Sequence, residues 1–122
     1  MARILIIDDS SIIREMLSEL LSDLGHYVEV AVQGQNGLEM ALEEDYDLVV
    51  CDLHLPIKNG LQVYQHVHEA KPQLPFMFTD SLPDELGEQA RETTGQLYLR
   101  KPFDIYQFKE KVESILRSLE VK

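Results

Sequence analysis

Five short apolar runs alternate along the chain with five amphipathic segments, and this alternation constrains the fold more than any other feature. The runs, which read as buried strands, lie at residues 3–7, 27–32, 47–52, 76–79 and 97–99. The segments between and after them carry apolar residues at helical spacing. Strands that alternate with helices over short connections predict an α/β fold, (βα)5, with a parallel sheet and helices on both of its faces.

The size and charge of the chain narrow the classes of function. A length of 122 residues suits one domain, residues 1–122, with a real hydrophobic core. The net charge of -11 argues against nucleic-acid binding, which needs clustered lysine and arginine. The charge is uneven, because residues 1–99 hold 5 basic and 18 acidic side chains whereas residues 100–122 hold 6 basic and 4 acidic ones. This distribution is compatible with a local basic face near the C-terminus.

The cysteine content and the apolar runs also indicate a compartment. The chain has one cysteine, Cys51, so no internal disulfide can form and a reducing compartment is expected. Cys51 lies inside an apolar run without a basic neighbour in sequence, which favours a buried, inert thiol over a nucleophile. No stretch resembles a secretory signal or reaches membrane-spanning length. We therefore expect a cytoplasmic protein with no membrane partner.

Polar side chains stand where four of the predicted strands end. Asp8 and Asp9 follow the first run, Asp52 ends the third, Thr79 ends the fourth and Lys101 follows the fifth. Each alone has an ordinary explanation, such as capping of the next helix by residues 8–11. Because the carboxyl ends of parallel strands share one edge of a sheet, however, the groups are expected to lie close together.

The chemistry of this predicted cluster suits phosphoryl transfer. Three crowded carboxylates raise one another's pKa, and Mg²⁺ relieves their repulsion because it takes oxygen ligands and bridges carboxylates to phosphoryl oxygens. Lys101 supplies a positive charge that can reach a carboxylate or a phosphate, and Thr79 supplies a hydroxyl donor. Asp52 is a carboxylate able to act as a nucleophile and form an aspartyl phosphate.

The spacing of these residues carries a family resemblance. The motif consists of Asp8-Asp9 with Arg14, Asp52 with Pro56 and Gly60 beyond it, Thr79, and Tyr98 three residues before Lys101-Pro102-Phe103. Over its full length the chain resembles a response-regulator receiver domain of two-component signalling, of the single-domain chemotaxis type. The resemblance implies a doubly wound, five-stranded parallel sheet with strand order 2-1-3-4-5. It also implies a cis peptide bond before Pro102.

The same resemblance implies a phosphorylation site with a metal ion. Asp52 would accept the phosphoryl group from a sensor histidine kinase, a phosphotransfer protein or a small phosphodonor. Asp9, Asp52 and the backbone carbonyl of His54 would bind Mg²⁺, with Asp8 contacting it through water. The implied protein is a phosphoacceptor that assists its own phosphorylation and dephosphorylation and is not a turnover enzyme.

The resemblance further implies a switch. Lys101 would contact the phosphoryl group, Thr79 would move toward it and Tyr98 would swing inward in response. The fourth helix is predicted to begin within residues 81–85. We expect the changes at the site to shift this helix, because it has few apolar positions and is interrupted by Gly87.

Three positions depart from the family pattern. Asp80 follows Thr79 where the family usually has a small residue, since the phosphodonor passes there; its bulk and charge are expected to slow phosphorylation. His54 stands two residues beyond the acceptor, at a position where side chains of the family tune loss of the phosphoryl group. Leu55 replaces the commoner methionine, which is a tolerable exchange.

The sequence is also compatible in part with three functions other than a phosphorylated switch. Asp80 motivates a docking module that keeps the fold but is not phosphorylated. A haloacid-dehalogenase-type phosphatase would use Asp8 or Asp9, but it needs a second aspartate two residues beyond, where this chain has serines. A flavodoxin-like electron carrier shares the topology, but the two aspartates would repel a flavin phosphate.

The output of the switch is expected to come from another protein. The chain stops after the fifth helix, so no output domain is expected, and the signal would pass to an unidentified protein target or to a homodimer. Residues 89–93, Tyr98 and residues 109–111 form the candidate face. A solvated face of mixed charge is the alternative for this surface.

Overall fold

A five-stranded parallel sheet forms the centre of the protein. A computed structural model describes residues 1–80, 85–94 and 97–120. The strands are Arg3–Ile7 (β1), Tyr27–Ala31 (β2), Leu48–Asp52 (β3), Phe76–Asp80 (β4) and Leu97–Arg100 (β5). They pair in parallel in the order β2-β1-β3-β4-β5, which confirms the predicted topology.

Helices cover both faces of this sheet. They are Ser11–Asp23 (α1), Gly34–Glu43 (α2), Gly60–Ala70 (α3), Glu85–Thr94 (α4) and Ile105–Glu120 (α5). Strand side chains alternate between the two faces, so that Val49 and Cys51 pack with α2, α3 and α4, whereas Leu48 and Val50 pack with α1 and α5. Every residue of β3 is buried, as expected of a central strand covered on both sides.

The end of β4, which borders the predicted site, differs from its predicted position. β4 continues through Asp80, one residue beyond the predicted end at Thr79, and Asp80 pairs with Arg100 of β5. The fourth helix was predicted to begin within residues 81–85; of these, residues 81–84 lie outside the described residues, and α4 begins at Glu85. The predicted cis peptide bond is present between Lys101 and Pro102.

The structure bears on the predicted burial of Cys51 and on the membrane-spanning capacity of the helices. The Cys51 side chain is fully buried, which confirms the predicted burial of this thiol, and burial raises the pKa of the thiol well above its ordinary value. Within residues 1–80, 85–94 and 97–120, none of the helices combines the length and the apolar character needed to cross a bilayer.

The start of α3 is pinned against the end of β3. The Gly60 N–H donates to the Leu53 carbonyl at 3.0 Å, and a Cβ on Gly60 would lie only 2.5 Å from the Asp52 carbonyl oxygen. Asn59 and Gln62 form a reciprocal cap, in which each side chain accepts a hydrogen bond of 2.9 Å from the other's backbone N–H. This close packing fixes the loop that follows Asp52.

Candidate functional site

The register of the sheet brings the predicted polar residues to one edge. Ile7 of β1 is paired with Cys51 of β3. Asp8, which follows β1, and Asp52, the last residue of β3, therefore lie side by side. Asp52 is paired with Thr79 of β4. The carboxyl ends of these strands therefore form a shared crevice, as predicted from the sequence.

Three carboxylates converge in this crevice. Asp8, Asp9 and Asp52 each offer one oxygen, and these oxygens lie within 4.8 Å of one another. Asp8 and Asp52 are buried, whereas Asp9 is exposed to solvent. A set of carboxylate oxygens, one of them open to water, fits a hard cation such as Mg²⁺, which keeps several water ligands. The role of the His54 backbone carbonyl as a further ligand stays a prediction.

Lys101 provides the positive charge at this site. Its ammonium Nζ donates to Asp8 Oδ2 at 3.0 Å and lies 3.6 Å from Asp52 Oδ2. The ammonium is thus near both buried carboxylates, and it is placed to contact a phosphoryl group attached to Asp52.

The environment of Asp52 raises the pKa of its carboxyl group. Burial is the largest cause, and the negative charges of Asp8 and Asp9 act in the same direction. The Lys101 ammonium opposes this shift, as does the His54 N–H, which donates to Asp52 Oδ1 at 3.1 Å. Asp52 is therefore a carboxylate whose charge is only partly compensated by the protein itself.

Asp8 is held in place by the start of α1. Its Oδ1 accepts a hydrogen bond of 2.9 Å from the Ser10 N–H, and its carbonyl oxygen accepts one of 2.9 Å from the Arg14 guanidinium. Ser10 also caps the helix through its hydroxyl, which accepts from the Ile13 N–H. The sequence motif assigns no role to Arg14. In the structure, its guanidinium holds the Asp8 carbonyl and so fixes the backbone beside the acidic cluster.

Thr79 presents a buried hydroxyl beside the acceptor. The residue is only 1% exposed, and within the described residues its Oγ1 has no hydrogen-bond partner. Its backbone is fixed, because its carbonyl accepts from the Leu53 N–H at 2.9 Å. A buried polar group without a partner is costly, so this hydroxyl is suited to a group that arrives at Asp52.

His54, Asp80 and Tyr98 were predicted separately, but the structure brings them together. Asp80 is fully buried, and its Oδ1 lies 2.7 Å from His54 Nε2. Its Oδ2 accepts a hydrogen bond of 2.5 Å from the Tyr98 hydroxyl. Burial and this hydrogen bond raise the pKa of Tyr98 to about 12. Whether Asp80 slows phosphorylation stays a prediction, but its side chain is held in the interior by these contacts.

Gly87 is a member of this cluster that the sequence reasoning treated only as an interruption of the helix. A Cβ at this position would lie 2.6 Å from Asp80 Oδ2 and 2.9 Å from the Tyr98 hydroxyl oxygen. A glycine inside a helix costs stability and often has a packing reason, and that cost was the available signal. The structure supplies the reason, since the helix backbone passes directly over the Asp80–Tyr98 contact.

Comparisons with known protein sequences agree with this geometry. The family model of the response regulator receiver domain matches residues 4–113. The transcriptional regulatory protein DltR of Streptococcus agalactiae is 34% identical over 103 residues, which cover 84% of this chain and 46% of DltR. The chain spans about half the length of the curated relatives it matches.

Solved structures share the fold along nearly the whole chain. The chemotaxis protein CheY4 of Vibrio cholerae is 26% identical with a TM-score of 0.84, covering 94% of this chain and 98% of CheY4. The response regulator protein TrrA of Thermotoga maritima, solved in complex with Mg²⁺ and BeF, is 29% identical with a TM-score of 0.85, covering 94% and 99%. With the family model matching most of its length, the chain belongs to the response regulator receiver domains of two-component signalling.

Proposed function

We propose that the protein is a phosphoacceptor switch that receives a phosphoryl group on Asp52. The observation that carries this proposal is the buried Asp52 carboxylate, which lies beside the carboxylates of Asp8 and Asp9 and 3.6 Å from the Lys101 ammonium. The proposed donor is the phosphohistidine of a sensor kinase or phosphotransfer protein in the cytoplasm, or a small acyl phosphate. The proposal rests on this geometry together with membership of the receiver family.

The proposed reaction is a direct displacement at phosphorus. One carboxylate oxygen of Asp52 forms the new bond as the phosphorus–nitrogen bond of phosphohistidine, or the phosphorus–oxygen bond of an acyl phosphate, breaks. The leaving group departs with that electron pair. Lys101 offsets negative charge on the phosphoryl oxygens, and the Thr79 hydroxyl donates to one of them. The same residues assist the later attack of water.

The proposed cofactor is Mg²⁺, for which the oxygen donors of the site are suited. Asp8, Asp9 and Asp52 would hold it, together with the backbone carbonyl of His54. When bound, the ion neutralises the crowded carboxylates and the incoming phosphoryl charge. The protein's own part is to hold these oxygens together, since β1 and β3 fix the backbones of Asp8 and Asp52 side by side.

The proposed readout is a change in the face around β5. Tyr98 lies on this strand, and the Arg91 guanidinium of α4 stands 5.3 Å from the centre of its ring. Residues 89–93, Tyr98 and residues 109–111 would contact a protein target or a second copy of the chain. Support comes from the position of β5 at the edge of the sheet, where α4 and α5 flank it on opposite faces.

A second candidate, a docking module that works without phosphorylation, is favoured by one observation. The hydroxyl of Tyr98 already donates to the buried Asp80 in the unmodified protein. If this contact alone sets the face around β5, partner binding would not change when Asp52 is replaced by alanine or when Mg²⁺ is removed.

Intact-protein mass spectrometry after incubation with acetyl phosphate and Mg²⁺ tests the proposed function. The wild-type protein should gain the mass of one phosphoryl group, and the gain should disappear in Asp52→Asn and in the presence of a chelator. Asp45→Asn, which removes an exposed carboxylate from the same part of the chain, is the matched control and should be modified like wild type. No mass gain, or a gain that persists in Asp52→Asn, would exclude the proposal.

A further inference from the structure

Asp80 places a carboxyl group in the interior at the end of β4. Its side chain is fully buried, and a buried carboxylate is costly unless polar groups surround it. One oxygen lies 2.7 Å from His54 Nε2 and the other accepts the Tyr98 hydroxyl at 2.5 Å. The carboxylate therefore joins two side chains that are 44 residues apart in sequence, position 54 and position 98.

His54 is in contact with the acceptor as well as with Asp80. Its backbone N–H donates to Asp52 Oδ1 at 3.1 Å, while its imidazole contacts the Asp80 carboxylate. A displacement of His54 that begins at Asp52 consequently changes the surroundings of Asp80. This connection begins at the His54 backbone N–H, continues through the side chains of His54 and Asp80 to Tyr98, and does not require Thr79.

The other end of the connection reaches α4. Gly87 leaves room for the Asp80–Tyr98 hydrogen bond, since a Cβ there would approach both oxygen atoms within 2.9 Å. The Arg91 guanidinium, one turn further along the helix, stands over the Tyr98 ring at 5.3 Å. The orientation of Tyr98 and the position of α4 are thus fitted to each other.

We propose that Asp80 is a positioning residue that holds Tyr98 inward before phosphorylation and couples its orientation to His54 beside the acceptor. The inference deepens the proposed function and rests on it for the meaning of a change at Asp52. It assigns to Asp80 a part in the switch, in addition to the predicted slowing of phosphorylation. In this protein the inward position of Tyr98 is a property of the unmodified state, and the signal is a change in the contacts of Asp80.

NMR of isotope-labelled tyrosine in the unmodified protein tests this coupling, with the Tyr98 signal assigned by its loss in Tyr98→Phe. His54→Ala should shift the Tyr98 signal, because the Asp80 carboxylate contacts both side chains. That shift should shrink at least about threefold when the same change is made in Asp80→Asn, because the path is then weakened. Asp80→Asn is used rather than Asp80→Ala, because asparagine keeps the size of the side chain and leaves no cavity that could prevent folding.

The control is His66→Ala, which removes an exposed histidine from α3 and should leave the Tyr98 signal unchanged. The inference is overturned if His54→Ala does not shift Tyr98, or if it shifts Tyr98 equally with and without the Asp80 carboxylate. These measurements need no phosphodonor. Loss of coupling in a protein that still gains a phosphoryl group refutes the inference alone, whereas coupling in a protein that gains none refutes the proposed function alone.

Discussion

Asp52 carries a negative charge where the fold makes charge costly. Only 5% of the residue is exposed, and burial is the largest cause of its raised pKa, ahead of the opposing Lys101 ammonium. Asp8 adds like charge on the neighbouring strand. Groups arranged for reactivity commonly reduce stability, so the acceptor carboxylate is expected to weaken the fold in the absence of metal.

Replacement of the acceptor by its neutral isostere should stabilise the metal-free protein. Because the folded-state pKa of Asp52 is raised, its favourable contribution is complete below the unfolded value of 3.8 and is lost as pH rises through the folded value. Asp52→Asn should therefore raise the free energy of unfolding at neutral pH by about 0.5–2 kcal/mol, and less toward acidic pH. Urea denaturation across this pH range measures the difference. An equal gain in the exposed-site control Asp45→Asn would contradict the argument.

Removal of the compensating cation should have the opposite effect on stability. Lys101→Met leaves two buried carboxylates without the ammonium that contacts Asp8 and Asp52, and we expect a loss of about 1–3 kcal/mol in the free energy of unfolding. The pKa of Asp52 should rise further, which NMR titration of its carboxyl group would detect. Lys109→Met, a lysine removal on α5, serves as the control. An unchanged Asp52 pKa in Lys101→Met would show that the ammonium does not offset this charge.

The helix α4 packs its backbone at Gly87 against the Asp80–Tyr98 hydrogen bond. It buries Ala90 fully and Leu86 partly, and its backbone at Gly87 meets the Asp80–Tyr98 pair. The atoms that a larger residue would meet are the ends of two side chains. These ends can move away more readily than a backbone can, so a change at Gly87 should act on the orientation of Tyr98 more than on folding.

Gly87→Ala tests this balance. The added methyl group should push the Tyr98 hydroxyl from Asp80, while the helix propensity of alanine offsets the lost contact by up to about 1 kcal/mol. We therefore expect little change in stability but a fall in the pKa of Tyr98 from about 12 toward 10.0, measured by NMR titration. Glu88→Ala, at an exposed position of the same helix, should leave this pKa unchanged. A Tyr98 pKa that stays near 12 in Gly87→Ala would contradict the role given to the glycine.

The elements and the acidic cluster could be predicted because their signals are local. Helical spacing and apolar runs indicate each element, and parallel strands bring Asp8 and Asp52 to one edge whatever the details of packing. The burial of Asp80 could not be predicted in the same way. Its cost depends on His54 and Tyr98, which become neighbours only through the register of β3, β4 and β5. The apolar run likewise predicts an end of β4 at Thr79, one residue too early, because the pairing of Asp80 with β5 is not visible in the sequence.

The site and the proposed output face share the strands near one edge of the sheet. Asp52 ends β3, and β5 lies two strands away at the edge. α4 covers β5 on one face, and α5 covers it on the other. A change that reaches Tyr98 on β5 is therefore close to both helices, whereas β2 at the opposite edge is far from it.

Because the whole chain is acidic, a test of Mg²⁺ binding must separate specific binding from general screening of charge. The protein has 22 acidic and 11 basic side chains, and any salt screens such an excess of charge. A specific ion that binds only the folded state adds stability in proportion to the logarithm of its concentration, about 2.7 kcal/mol at one hundred times its dissociation constant. Screening and specific binding can therefore be separated by comparing Mg²⁺ with sodium chloride at equal ionic strength.

Mg²⁺ should raise the midpoint of thermal unfolding of the wild-type protein more than sodium chloride does at the same ionic strength. The extra stabilisation should be largely lost in Asp52→Asn, which removes one of the three converging carboxylates, and fully kept in Asp45→Asn. Differential scanning calorimetry over a Mg²⁺ series measures both effects. If the wild type and Asp52→Asn gain equally, the ion acts by screening, and the crevice would not be a magnesium site. If only Asp52→Asn loses the gain, the acceptor carboxylate that weakens the metal-free fold is the same group that the ion stabilises.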